Sequence, residues 1–408
     1  MSGASEKAAT STGFVLLGLV TAVQLLATFA VLSLPTLAPR AAPSFGVGPE
    51  MIGVQISFIY FAASAFSNIS GLIVRRYGAV LASTAALIVS GLGMIGVASG
   101  SLVVAAIASL MIGVGYGLTN PAASHLLMKH GPRTRQNLVF ALKQCGVPIG
   151  GVLAALLLPR LAERIGWQWA IVVSSGLLGL LAIVMLPRRA QWDGDRDPSA
   201  RISGGLLAGA RFALANPTLR SLSLMGGTFA SFQFCLMSYV ITMLVAEMKW
   251  DLVSAGVVAS IMQAGGAVGR IAWSLIADRI GRGIEILMAI GILASLLAVM
   301  TACIGPGWSA TAIVPLLAAF AFCLIGWNGV YMAEVARTVG PVNVGIATGG
   351  VLVFNFAGVV LGPSVFGLLA KLTGSYALTY GIFSVVPLIG VTALWRVLRR
   401  RAGEAWGS

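Results

Sequence analysis

Long apolar runs separated by short polar turns are the dominant pattern of this chain. Twelve of these runs are long enough to cross a bilayer as helices, since a membrane-spanning helix needs about 20 apolar residues. They lie at 14–38, 50–74, 79–98, 102–127, 138–158, 168–187, 220–246, 253–277, 284–304, 310–333, 344–370 and 376–397. The alternating segments of a membrane β-barrel are absent from the sequence. The pattern therefore predicts an all-α membrane protein with twelve transmembrane helices.

One polar stretch divides the runs into two sets of six. It covers residues 188–219 and carries most of its charge on Arg188, Arg189, Asp193, Asp195, Arg196, Asp197 and Arg201. We interpret 1–187 as an N-terminal six-helix bundle and 220–408 as a C-terminal one. The stretch 188–219 is then a cytoplasmic linker, with an interfacial helix around 203–214.

The basic residues predict the orientation of the spans. If both termini are cytoplasmic, 19 of the 26 Lys and Arg residues lie on the cytoplasmic side, five lie outside, and Lys143 and Arg270 remain within the runs. Positive residues concentrate in cytoplasmic loops. We therefore expect a multi-pass protein of a bacterial inner membrane with both termini inside. The first run is too long for a cleavable signal and lacks a basic segment before it.

Composition agrees with a membrane protein and excludes other classes. Hydrophobic residues make up 58% of the chain and charged residues 9%, against about 25% charged in soluble domains. The net charge of +14 comes from loops between spans, so it indicates topology and not a nucleic-acid partner. The four cysteines lie in apolar runs without metal-binding spacing, so we expect them to pack, and we expect no metal and no cofactor.

The two halves repeat a short motif. The sequence GLIVRRYG (Gly71–Gly78) follows the second run, and SLIADRIGR (Ser274–Arg282) follows the eighth. Arg76 and Arg279 occupy matching places about half a chain apart. Duplication of a six-span unit is a transporter architecture.

These motifs resemble those of the major facilitator superfamily, whose loop motif reads G-x-L-A-D-R-x-G-R-R. The second copy matches well through Ile276, Ala277, Asp278, Arg279, Gly281 and Arg282, whereas the first has Arg75 where the family has Asp. The glycine-rich runs Gly146-Val-Pro148-Ile-Gly150-Gly151 and Gly113-Val-Gly115-Tyr-Gly117 are also similar to family features. The resemblance implies two pseudo-symmetric bundles, with conformational gating by Arg76, Asp278, Arg279 and Arg282.

Lys143 and Arg270 are the charged residues that we expect to bind the substrate. All twelve acidic residues fall at segment ends, in loops or in tails, and a cation at membrane depth costs roughly 2.5–3.5 kcal/mol. Lys143 lies about 8 Å and Arg270 about 10 Å from the predicted cytoplasmic ends of their spans. An anionic solute would offset the cost. The alternative is that each side chain extends to the headgroups or caps helix carbonyls.

The family resemblance also favours an anionic solute. Spans five and eight meet in this superfamily, so Lys143 and Arg270 could share one solute or bind it in turn. Oxalate–formate exchangers and monocarboxylate porters carry a basic residue in span eight that meets the carboxylate. A guanidinium suits a carboxylate because it can bond with two parallel N–H groups.

Neutral polar side chains supply the remaining candidates, on spans that line the central cavity of the superfamily or flank it. They are Gln24, Tyr116, Asn120, Gln233, Gln263, Trp327, Asn328 and Tyr331. The alternative for each is a hydrogen bond that packs helices together. His125, near the end of span four, is a candidate for proton coupling, or a histidine at the membrane interface.

The sequence thus predicts a secondary active transporter that moves a small organic anion, a carboxylate, by alternating access. Protons are a candidate coupling ion in symport, and the partners expected are the solute and the bilayer, with the chain as a monomer. The runner-up function is export of neutral or amphiphilic compounds. An enzyme is not expected, since there are two histidines and neither HExxH nor GxSxG.

Overall fold

The computed structural model describes residues 2–130, 139, 142–199, 208–305 and 307–406. Twelve of its helices are long and apolar enough to cross a membrane, which confirms the predicted fold class. These spans, α1 to α12 in chain order, are Gly13–Phe45, Pro49–Ser67, Ala79–Val97, Leu102–His130, Leu142–Ile165, Trp167–Trp192, Pro217–Ala246, Leu252–Ile280, Gly283–Ala302, Ala310–Gly340, Ile346–Thr373 and Tyr376–Arg399. The helical backbone of α1 begins at Ser2, and that of α2 continues to Tyr77.

Several spans are interrupted, and the interruptions have local causes. The regular helix of α5 covers Gly146–Ile165, after a turn at Cys145. The first segment of α10 is Ala310–Leu324, and helix resumes at Asn328. Gly340, at φ 69°, separates α10 from α11, because a positive φ suits glycine.

The chain divides into two compact units. Unit 1 comprises Met1–Phe45 and Phe58–Gly204, and unit 2 comprises Gly46–Ser57 and Gly205–Ser408. The division falls inside the predicted linker. The sequence did not anticipate that the beginning of α2 packs with unit 2.

In unit 1, α1 packs against α4 and α5, and α3 packs against α4 and α6. The glycine motif of α5 makes one of these contacts close. A Cβ atom on Gly146 would lie 2.7 Å from the carbonyl oxygen of Thr21, and Gly150 lies against Leu25 in the same way. Small residues of this kind let two helix backbones approach.

In unit 2, α7 packs against α11 and α12, and α8 against α10. The segment Gly46–Ser57 is bonded here as well. The Tyr239 hydroxyl lies 2.8 Å from the carbonyl oxygens of both Glu50 and Pro363, and Ser57 Oγ lies 2.8 Å from Ser364 Oγ.

The predicted linker region contains two short helices. Arg189–Trp192 forms the end of α6, and Ala208–Ala215 is a separate helix. The second overlaps the interfacial helix predicted around 203–214. Residues 200–207 lie outside the described part of the chain. Asn216 caps α7, since its side chain accepts hydrogen bonds from the backbone N–H groups of Thr218 and Leu219.

Candidate functional site

The break in α10 organises the polar residues of unit 2. A helix that stops leaves carbonyl oxygens without intrahelical partners. Arg270 Nε donates to the carbonyl oxygen of Ile325 at 3.2 Å, and Trp273 Nε1 donates to that of Phe322 at 3.2 Å. Two side chains of α8 therefore satisfy the end of the first segment of α10.

Close glycine contacts bring α8 to the break. Gly269 lies against the carbonyl group of Phe322, and a Cβ on Gly326 would lie 2.8 Å from Gly269. This approach holds the half-buried Arg270 at the break, so the structure supports carbonyl capping as one role of its Nε atom. A contact between its guanidinium and a solute stays a prediction.

Gln233 binds the other side of the break. Its Oε1 accepts from Trp327 Nε1 at 2.9 Å and from Asn328 Nδ2 at 3.4 Å. Tyr331 donates to Asn355 Oδ1 at 3.3 Å. Trp327 and Tyr331 are 1% and 0% exposed, so this placement favours the helix-packing role that the sequence left open.

Gln263 and Asn328 complete the predicted set in unit 2. Gln263 is buried, and its Oε1 has no hydrogen-bond partner within the described residues. Asn328 is half-buried at the first position of the resumed helix. Gln263 lies on α8 and Asn328 on α10. The prediction that they contact a solute is untested.

Lys143 is a buried cation of unit 1 whose hydrogen-bond partners are neutral. Its side chain is 2% exposed. Its Nζ donates to Asn120 Oδ1 on α4 and lies 3.5 Å from Gln144 Oε1. These partners are neutral amides, and no ion pair joins Lys143 to a carboxylate in the described residues. The structure thus joins two predicted site residues, Lys143 and Asn120.

Lys143 lies at the beginning of the described part of α5. That part starts at Leu142, and the regular helix Gly146–Ile165 follows a turn at Cys145. Residues 131–138, 140 and 141 lie outside the described part of the chain. The predicted start of the fifth run at residue 138 therefore stays a prediction.

Gln24 and Tyr116 lie beside the Lys143–Asn120 pair. Gln24 is 0% exposed, and its Oε1 lies 3.5 Å from the hydroxyl oxygen of Thr119, the neighbour of Asn120. The Tyr116 ring packs edge-on against Tyr60 with 5.5 Å between centroids. Gly146, three residues after Lys143, also lies against Gln24. We call Gln24, Thr119, Asn120 and Lys143, which α1, α4 and the start of α5 bring near one another, the polar cluster of unit 1.

The predicted gating residues behave differently in the two units. Asp278 pairs with Arg337 at 3.4 Å, and Arg337 also donates to Glu334 at 2.5 Å. Arg279 and Arg282 are exposed. Arg76 lies with its guanidinium 5.5 Å from the centre of the Tyr77 ring.

Glu334 lies farther inside its span than the expected position at a segment end. We expected the tenth run to stop at residue 333, but α10 continues to Gly340 and Glu334 is 5% exposed. A buried carboxylate is costly unless it is paired, and Arg337 one turn later supplies the partner.

Linker aspartates bind unit 1, and sequence reasoning missed them. Asp193 accepts from the backbone N–H groups of Val80 at 2.8 Å and Leu81 at 3.1 Å. Asp197 pairs with Arg75 at 3.3 Å. Asp at positions 193, 195 and 197 was the sequence signal that could have indicated one acidic segment with a shared binding role.

Asp195, between those two, binds the end of α4. Its Oδ2 lies 2.8 Å from both His125 Nε2 and Lys129 Nζ. Partial burial raises the pKa of the Asp195 carboxyl, but the hydrogen bonds from Lys129 and His125 outweigh it and lower the pKa to about 2. His125 is thus part of a linker contact, and its proposed part in proton coupling is untested.

Comparison with known proteins places this architecture. A family described as Major Facilitator Superfamily matches residues 17–340. A Bacillus subtilis hexuronate transporter is 22% identical over 391 residues, covering 91% of each chain. A solved bacterial homolog of the human lysosomal transporter Spinster, in an inward-facing and occupied conformation, has a TM-score of 0.74 at 16% identity, covering 95% of this chain and 96% of that one.

Two further relatives match over shorter lengths. An uncharacterized MFS-type transporter of Mycobacterium tuberculosis is 25% identical over 285 residues, which is 68% of this chain and 61% of that protein. The match thus spans about three fifths of the relative's length. The 4-hydroxybenzoate transporter PcaK of Pseudomonas aeruginosa is 28% identical over 159 residues, covering 37% of this chain and 34% of PcaK.

Proposed function

Because the chain belongs to the Major Facilitator Superfamily, and its relatives are transporters and not enzymes, we propose that it moves a small organic anion by alternating access. The class of solute we propose is a carboxylate. Transport proceeds across a bacterial inner membrane, with both termini cytoplasmic and the chain a monomer. The resemblance to oxalate–formate exchangers suggests the same class of solute.

One observation carries the proposal. Lys143 holds a positive charge at 2% exposure with neutral amide partners. A buried cation without a counter-charge is costly, so its retention calls for an anion that arrives from outside the chain. A bound carboxylate supplies that charge and accepts an N–H of the ammonium.

Arg270 is the second proposed ligand. Its Nε bond to the Ile325 carbonyl sets the plane of the guanidinium beside the α10 break. A fixed guanidinium loses little freedom when it binds a carboxylate. The named solutes of two relatives, hexuronate and 4-hydroxybenzoate, are organic anions, which supports the same class here.

Transport by charge-neutralised variants tests the proposal. Purified Lys143→Gln and Arg270→Gln proteins would be reconstituted in vesicles and assayed by counterflow of radiolabelled carboxylates. We expect at least a 100-fold loss of uptake in each, because binding energy for the anion is removed. Arg270→Lys keeps the positive charge but lacks the two parallel N–H groups of the guanidinium, and it should retain more activity than Arg270→Gln.

Arg220→Gln is the matched control, since Arg220 is an exposed arginine at the start of α7. It should transport like the wild type. Thermal unfolding of every variant separates loss of function from loss of fold. Wild-type uptake by both Lys143→Gln and Arg270→Gln would refute the proposal, and stabilisation by hydrophobic compounds alone would favour the amphiphile exporter.

A further inference from the structure

The polar cluster of unit 1 contains a hydrogen-bonding conflict at Gln24. Thr119 Oγ1 lies 2.8 Å from the carbonyl oxygen of Tyr116 and 3.5 Å from Gln24 Oε1. A hydroxyl has one proton to donate, and the shorter contact takes it. Two oxygens with no proton between them repel, so Oε1 is a poor neighbour for the Thr119 hydroxyl.

Turning the Gln24 amide resolves the conflict. Amide oxygen and nitrogen are assigned by the hydrogen bonds that they make. With Nε2 toward Thr119, the amide donates to a hydroxyl lone pair. The opposite amide atom then becomes Oε1, in a buried position with no partner among the described residues.

The orientation of the neighbouring amide is also determined. An ammonium only donates, so Lys143 requires the oxygen of Asn120 to face it, and the Asn120 nitrogen points elsewhere. The cluster therefore offers a charged donor at Lys143, an amide donor at Asn120 and a buried acceptor at Gln24. A buried acceptor without a donor is destabilising.

We infer that unit 1 recognises a hydroxylated carboxylate, with Lys143 binding the carboxylate and Gln24 Oε1 accepting the proton of the solute's hydroxyl. A carboxylate alone leaves the Gln24 oxygen unpaired, because an ionised carboxylate only accepts. A hydroxyl group donates and satisfies it. The inference rests on the proposed function and narrows its solute class.

Matched pairs of acids test the inference. Thermal stabilisation of the purified full chain would be titrated with lactate against propionate, malate against succinate, and 4-hydroxybenzoate against benzoate. In the wild type we expect at least one hydroxy acid to act at about tenfold lower concentration than its partner, as one hydrogen bond of about 1.4 kcal/mol gives.

The variant Gln24→Met keeps the length of the side chain and removes the acceptor. It should lose the preference for the hydroxy acid while its response to the deoxy acid is unchanged. Equal weakening toward both acids would show that Gln24 donates to the carboxylate, which overturns the inference. So would a wild type that prefers no hydroxy acid, or a Gln24→Met protein that keeps the preference.

Failure of the proposed function has a different signature. If no acid stabilises the wild type, carboxylate binding itself is contradicted. If Lys143→Gln responds to every acid as the wild type does, the role of Lys143 in binding the carboxylate is contradicted. Should Gln24→Met fold poorly, Gln24→Glu provides a second variant with retained acceptor oxygens. Its added negative charge beside Lys143 should weaken all acids and leave the preference for the hydroxy acid in place.

Discussion

In both units an acidic side chain lies at the N-terminus of the third helix, but the acid comes from a different part of the chain in each. In unit 1, the Asp193 carboxylate lies against Gly78 and caps α3. In unit 2, the Glu334 carboxylate lies against Gly283, where α9 begins. A helix N-terminus carries partial positive charge. Both units thus place an acid there, from the linker in one and from α10 in the other.

The first copy of the loop motif lacks the Asp of the superfamily, but acids from the linker lie beside it. Arg75 stands where the superfamily has Asp, and the nearby acids come from the linker, with Asp193 113 residues beyond Val80. In unit 2 the motif keeps Asp278, which shares Arg337 with Glu334. When one copy of a repeated motif lacks its Asp, an acidic residue from another segment can therefore supply the negative charge at that place.

The largest expected effect is in unit 2, where the acid is buried and one cation holds it. Arg337→Met should destabilise the protein by about 3 kcal/mol, since it leaves Glu334 buried and unpaired. Thermal unfolding in detergent measures this. Arg279→Met, an exposed arginine at the end of α8, is the control and should change stability by less than about 0.5 kcal/mol. Equal stability of the two variants would contradict the claim that Arg337 stabilises the buried Glu334.

A smaller effect is expected in unit 1. Asp193→Ala removes the acceptor for two backbone N–H groups and should cost about 1–2 kcal/mol, as for other helix caps. Asp197→Ala breaks the exposed pair with Arg75 and the local hydrogen bonds from Ser199, and it should lower stability by less than Asp193→Ala does, because solvent screens an exposed pair. If the two substitutions were equivalent in thermal unfolding, Asp193 would not be the functional counterpart of Glu334.

The smallest effect concerns pH and the Asp195 contact. Its pKa is lowered from 3.8 to about 2, so its contribution is complete above about pH 5 and is lost as the pH falls through 3.8 toward 2. In a His125→Gln background, where Lys129 still binds the carboxylate, the stability difference between Asp195 and Asp195→Asn should stay nearly constant from pH 7 to about 5 and then shrink. A difference that disappears by pH 6 would exclude the carboxylate as its source.

Much of the architecture could be predicted because the membrane imposes it. Apolar runs of the right length predicted twelve spans, since backbone polar groups must be satisfied within helices in lipid. The candidate site was only partly predictable. Lys143 and Asn120 were both selected for their chemistry, but nothing in the sequence indicated that they bond to each other, or that Trp327 and Tyr331 are fully buried.

The sequence by itself determined the span count and which polar residues lie within apolar runs. These properties depend on local composition and periodicity. Only the tertiary structure decided that Arg270 caps a break in α10, that Glu334 is buried beside Arg337 and that the linker residue Asp193 caps α3. Each of these depends on contacts between residues distant in the chain, and hydropathy carries no information about which buried donor meets which acceptor.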